Sequence, residues 1–67
     1  MSIAKITEVI SSSKVGIEDA VKQGVARASK TLNDIQGVWV EDIKCTVDGE
    51  NIVEWRCTLK ITFVLND

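Results

Sequence analysis

Few side chains in this chain are reactive or able to hold a ligand. Cys45 and Cys57 are soft ligands, but the sequence contains no histidine. Zinc ordinarily takes four protein ligands in a structural site, so two thiols alone read as free cysteines buried on one face. Asp42, Asp48, Glu50 and Asn51 carry the oxygens a hard cation such as calcium accepts. Their spacing is not that of an EF-hand, and acidic turn residues are ordinarily just solvated. The Arg56 guanidinium can pair with a phosphate or stack beside an aromatic ring; it can equally form a salt bridge with Glu41 across a hairpin. Trp39 offers a flat apolar face. No nucleophile–base pair, Gly-rich phosphate loop or metal triad is found, so an enzyme is not expected.

Length and composition narrow the classes further. With 67 residues the chain allows one domain, and 45 % apolar residues are enough for a core. A domain this short is marginally stable alone. The net charge of −2 argues against a nucleic-acid protein, which usually shows a basic face. An RNA-binding α+β domain is the outsider, disfavoured by the acidic total and few aromatics. No run approaches the ~20 apolar residues that span a bilayer. No signal-like segment is read at the start, and reduced thiols in the cytoplasm are expected.

The segments that carry these residues read in the order strand, helix, strand, strand. Ser2 to Ile10 contains Ile3, Ile6, Thr7, Val9 and Ile10, which are strand formers. Ser13 at the end of the serine run is the expected N-cap of a helix, and Glu18 and Asp19 suit its positive end. Ile17, Ala20, Val21, Gly24, Ala28, Leu32 and Ile35 recur at helical spacing. The small residues Ala20, Gly24 and Ala28 predict a close approach to a sheet.

From Gln36 the period becomes two. Trp55, Cys57, Leu59, Ile61, Phe63 and Leu65 alternate with more polar residues, the strongest strand signal in the chain. Before them, Val38 and Val40 share one parity while Ile43, Cys45 and Val47 share the other. One extra residue restores a single apolar face, which predicts a β-bulge at Glu41-Asp42. Asp48-Gly49-Glu50 reads as a three-residue turn, placing Cys45 opposite Val53 and Ile43 opposite Trp55. Trp55 then belongs to the core. The last strand would run about 45 Å, while a compact chain of this length has a radius of gyration near 11 Å. So long a hairpin overruns its one helix, and a homo-oligomer is expected.

Order, length and spacing together resemble the dodecins. The resemblance rests on the serine run after the first strand, the helix with Ala26-Arg27-Ala28-Ser29-Lys30-Thr31-Leu32, the Asp48-Gly49 turn, and the ending Leu59-Lys60-Ile61-Thr62-Phe63-Val64-Leu65. It covers about residues 4 to 65 and implies an α+β fold: a β-α-β-β subunit whose three-stranded antiparallel sheet wraps around one helix. It further implies a hollow homododecamer that stores or sequesters a small ligand. A flavin (FMN or riboflavin) is the leading ligand; coenzyme A, Ca²⁺ or a purely structural role are the alternatives.

The resemblance also locates a ligand site. The stacking Trp of flavin-binding members falls on Gly37, their last-strand Gln on Arg56, and a late Arg on Val64. Lys44 matches a basic position in charge only. Trp39 lies two residues past Gly37, on the same side of a regular strand, but that step moves a ring ~6.6 Å. The expected ligand-contacting residues are therefore Trp39, Arg56, Gly37 and Lys44, with packing between subunits as the competing role for Trp39.

Overall fold

The final strand organises the molecule. A computed structural model describes residues 3–65, which form β1 (Ile3–Ser13), α1 (Ile17–Ala28), β2 (Ile35–Asp48) and β3 (Asn51–Leu65). The sheet is antiparallel with order β1-β3-β2, so β3 is paired along both edges. The fold is the expected β-α-β-β arrangement of one helix and a three-stranded sheet.

Alternation along β3 creates two chemically distinct faces. Cys57, Leu59 and Ile61 are fully buried beneath α1, with Ala20 and Ala28 packed on them from the helix. Full burial of a Leu or Ile side chain is worth about 1.5–3 kcal/mol, so this row anchors the helix to the sheet. Gly24 completes the contact between Ala20 and Ala28 by bringing helix backbone against Leu59 and Ser11. The other face carries Arg56, Thr58, Lys60, Thr62 and Val64.

Several boundaries differ from expectation. Ser2, the expected start of β1, lies outside the described residues. β1 continues past Ile10 to Ser13, because Ser11 and Ser12 find ladder partners in Cys57 and Arg56. Ser13 is consequently not the N-cap. The helix starts at Ile17 after Gly16, while the Ser13 hydroxyl organises the connection. It accepts the N–H groups of Val15 at 2.9 Å and Gly16 at 3.3 Å, and donates to Asp19 Oδ2 at 2.6 Å. The helix also stops at Ala28 rather than reaching Ile35. Successive N–H groups of Lys30, Thr31 and Leu32 close turns onto Arg27 and Ala28, and Asp34 takes a positive φ of 56°, which short polar residues tolerate. Its carbonyl accepts the Val64 N–H at 3.1 Å. Ile35 then opens β2 opposite Phe63.

The bulge is present where parity predicts it: pairing steps from Val40↔Leu59 to Asp42↔Thr58, leaving Glu41 as the extra residue. The turn is tighter than expected. Asp48 pairs with Asn51, so the loop is Gly49-Glu50, with Gly49 at φ 64°. Two-residue hairpin loops demand positive φ, which glycine adopts without strain. Near the tip, pairing steps from Thr46↔Glu54 to Val47↔Ile52, leaving Val53 without a ladder partner. Cys45 therefore faces Trp55 and Ile43 faces Cys57, two residues from the expected register.

The sheet outruns its helix. A 12-residue helix is about 18 Å long, whereas the molecule measures 51 × 19 × 13 Å with a radius of gyration of 13.8 Å. Ile43, Val47, Ile52 and Val53 near the hairpin tip are exposed, as are Ile6 and Ile10 on the opposite face. Trp55, expected in the core, is on the helix-side face but only half-buried.

Candidate functional site

The four expected ligand residues share the sheet face turned away from the helix. Strand register makes this so: Gly37 pairs with Thr62, Trp39 with Lys60 and Lys44 with Arg56, and all three partners belong to the outward series of β3. The bulge is what reconciles Trp39 with Lys44, whose sequence parities differ. Without its extra residue, one of them would point to the helix side.

They do not form one cluster. Lys60 and Arg56, which mark the two rows, are four residues apart on β3, or about 13 Å. Gly37 and Trp39 occupy one end of that span. Trp39 is 60 % exposed, and a Cβ placed on Gly37 would meet nothing within 4 Å. The result is an indole bordered by open space. Lys44 and Arg56 occupy the other end as direct cross-strand neighbours of like charge, an arrangement that is unfavourable unless an anion offsets it. Val64, the expected counterpart of a family arginine, is on the same face opposite Ala4 and carries no charge.

Arg56 does not pair with Glu41. Its Nη2 lies 3.1 Å from Glu54 Oε1, and its Nε donates to Ser12 Oγ at 3.3 Å. Glu54 is two residues away on the same strand face, whereas the bulge directs Glu41 to a different cation. The Lys60 Nζ stands 2.6 Å from Glu41 Oε2 and 5.2 Å from the centroid of the Trp39 ring. The bond to Glu41 and its charge are the main causes that raise the Lys60 pKa above its ordinary 10.5; partial burial opposes them, and Glu8 adds a smaller upward push. Lys60 was not among the residues singled out from sequence. Its role as the neighbour of Trp39 follows only from register.

The thiols separate. Cys57 is buried under the helix, and burial, followed by the nearby Cys45, pushes its pKa up. Cys45 is exposed near the tip, contrary to the expectation that both would be buried. They occupy diagonal positions on adjacent strands, and neither forms a disulfide. The acidic residues also separate. Asp48 and Asn51 close the turn while Asp42 faces Thr58, six residues or about 20 Å back along β2. Among the described residues no three histidine, cysteine or acidic side chains converge as a metal site. No described helix is long and apolar enough to cross a membrane.

Comparison with known proteins gives a consistent result. The family model described as Dodecin matches residues 3–66. The curated dodecin of Thermus thermophilus is 29 % identical over 65 residues, covering 97 % of this chain and 94 % of that one. A mutant of the Thermus thermophilus dodecin superposes with a TM-score of 0.94 at 28 % identity, over the full length of both chains. A further solved relative is the calcium-chelating immunodominant antigen of Mycobacterium tuberculosis, calcium dodecin. It has a TM-score of 0.82 and 26 % identity, covering 97 % of this chain and 93 % of that one.

Proposed function

The chain belongs to the dodecin family, and from that premise we propose that it is a non-enzymatic, homododecameric shell protein that sequesters a flavin on the outward sheet face at Trp39. The observation that carries this reading is the exposed indole beside the open space over Gly37. An indole face stacks well on a flat ring and loses little conformational freedom in doing so. The missing side chain at position 37 leaves room for a ring that stands ~6.6 Å from the family's usual place.

The Lys44–Arg56 pair favours a phosphorylated ligand. Arg56 is already bonded to Glu54, so this end of the face keeps one net positive charge; set about 13 Å from Trp39, it suits a ring that carries a terminal phosphate, and FMN is expected to bind more tightly than riboflavin. Coenzyme A is the second occupant that this same feature favours, through its phosphates and adenine ring. A calcium role draws no comparable support from one chain, because Asp42 and Asp48 stand far apart on β2.

Assembly follows from the uncovered surface. Apolar side chains at Ile6 and Ile10 on one face, and at Ile43, Val47 and Ile52 on the other, are left without cover by α1. Neighbouring copies supply that cover at the lowest cost in new chain.

Titrating the protein into FMN or riboflavin while following flavin emission tests the binding. Stacking on Trp39 quenches the emission, whereas unchanged emission at tens of micromolar protein defeats the flavin reading. Native mass measurement tests the shell, and a 7.4 kDa species would overturn it.

A further inference from the structure

Trp39 is exposed but its ring is not bare. Lys60 sits at the centre of the sheet, on the strand that both neighbours pair with. Glu8 is its partner on β1 and Trp39 its partner on β2. The side chain leans to the β2 side, where its ammonium lies over the indole at 5.2 Å and against Glu41 at 2.6 Å. The bulge makes that possible, since it gives β2 two consecutive acidic residues, Glu41 and Asp42, opposite the single position Thr58. Both Lys60 and Glu41 side chains are about one-third exposed, at 33 % and 35 %, so the pair is partly shielded from competing water. Two attractions therefore hold one cation on one indole face: the ion pair and the ring quadrupole.

We propose that Lys60, tethered by Glu41, is a plug on one face of the Trp39 ring, which an aromatic ligand must displace in order to stack on that face, and that this pair sets selectivity against uncharged rings. The ligand part of this inference rests on the reading of Trp39 as the stacking residue; the plug itself does not. Displacement costs an uncharged ring the cation–ring contact and loosens the ion pair. A ligand with its own negative charge regains part of that cost by pairing with the released ammonium. Lys60 is thus a specificity-determining residue of this site, reached through the bulge that positions Glu41.

The test compares Lys60→Ala and Glu41→Gln with the parent protein, all in a Trp55→Phe background so that Trp39 alone emits. Without ligand, acrylamide quenching of Trp39 is expected to rise in Lys60→Ala and to rise less in Glu41→Gln. With riboflavin as the uncharged ring, Lys60→Ala is expected to bind about two- to five-fold more tightly, as loss of an exposed cation–ring contact implies. Quenching that is unchanged in both variants overturns the plug, whether or not riboflavin binds. Weaker riboflavin binding by Lys60→Ala also overturns it. Increased quenching with no flavin binding by any of the proteins keeps the plug and defeats the flavin reading instead. Should Trp55→Phe fail to fold, the same comparison with Trp55 retained answers the question, because only the Trp39 fraction of the emission changes.

Discussion

Gly24 and Leu59 meet so closely that a Cβ on Gly24 would stand 2.5 Å from Leu59 Cδ1. This contact sets the distance between helix and sheet. Leu59 is fully buried, and Ser11 Cβ at 3.2 Å closes the other side, so the Leu side chain has little room to retreat. Alanine would gain about 1 kcal/mol of helix propensity, while overpacking a filled core costs about 1–3 kcal/mol. Gly24→Ala is therefore expected to be net destabilising, by up to about 2 kcal/mol, seen as a lower denaturant midpoint.

Ser13 is 5 % exposed and its hydroxyl serves two backbone N–H groups and one carboxylate. Asp19 Oδ2 in turn accepts a bond from Gln23 Nε2. Ser13→Ala removes the acceptor at the point where β1 hands over to α1. Leaving partly buried donors unpaired costs about 1–3 kcal/mol, so a loss of this order is expected in chemical denaturation. Ser12→Ala, at an exposed position one residue earlier, should cost less.

Gly37 gives the opposite prediction from Gly24, because nothing surrounds it and its place in β2 opposite Thr62 is an extended one. Gly37→Trp is expected to fold with unchanged or greater stability, since an aromatic side chain suits a strand better than glycine. If Gly37 occupies the family's stacking position, the variant should quench flavin emission at lower protein concentration than the parent. An unchanged titration in a well-folded variant would count against that alignment.

The Lys60–Glu41 pair predicts an alkaline loss of stability. The folded-state pKa of Lys60 is raised, so the charged form is favoured by folding. Its contribution is complete below the ordinary value of 10.5 and disappears as pH rises through the raised folded value. Melting temperatures of the parent and Glu41→Gln, measured from pH 8 to 12, should converge at the alkaline end. A constant offset across that range would show that the pair contributes nothing that titrates.

Much of the architecture was legible in the residue order. The run Cys57, Leu59, Ile61, Phe63 alternates so regularly that its buried face could be named from the sequence, and all four are buried. The broken parity between Val40 and Ile43 likewise announced the Glu41 bulge, because a half-buried sheet tolerates no other way of keeping one apolar face. The helix limits were less legible. Leu32 and Ile35 continue the helical spacing by coincidence, whereas tertiary pairing claims Ile35 for β2 and turn bonds end the helix at Ala28.

Residue order alone showed which face of each strand is apolar, that the hairpin had to bulge at Glu41-Asp42, and that one helix could not cover so long a sheet. These are one-dimensional properties, set by side-chain polarity and the two-residue period of a strand. Which charges meet was settled by the pairing of the strands. A hairpin register shifted by two residues preserves every face, so apolar patterning is blind to it. Yet the shift, with the strand order β1-β3-β2, helps decide that Arg56 bonds Glu54 and Ser12 while Glu41 takes Lys60. Ion pairs act over a few ångströms at the surface, and their partners are chosen by that final register rather than by residue type. For the same reason the cation over Trp39 became visible only once the strands were paired.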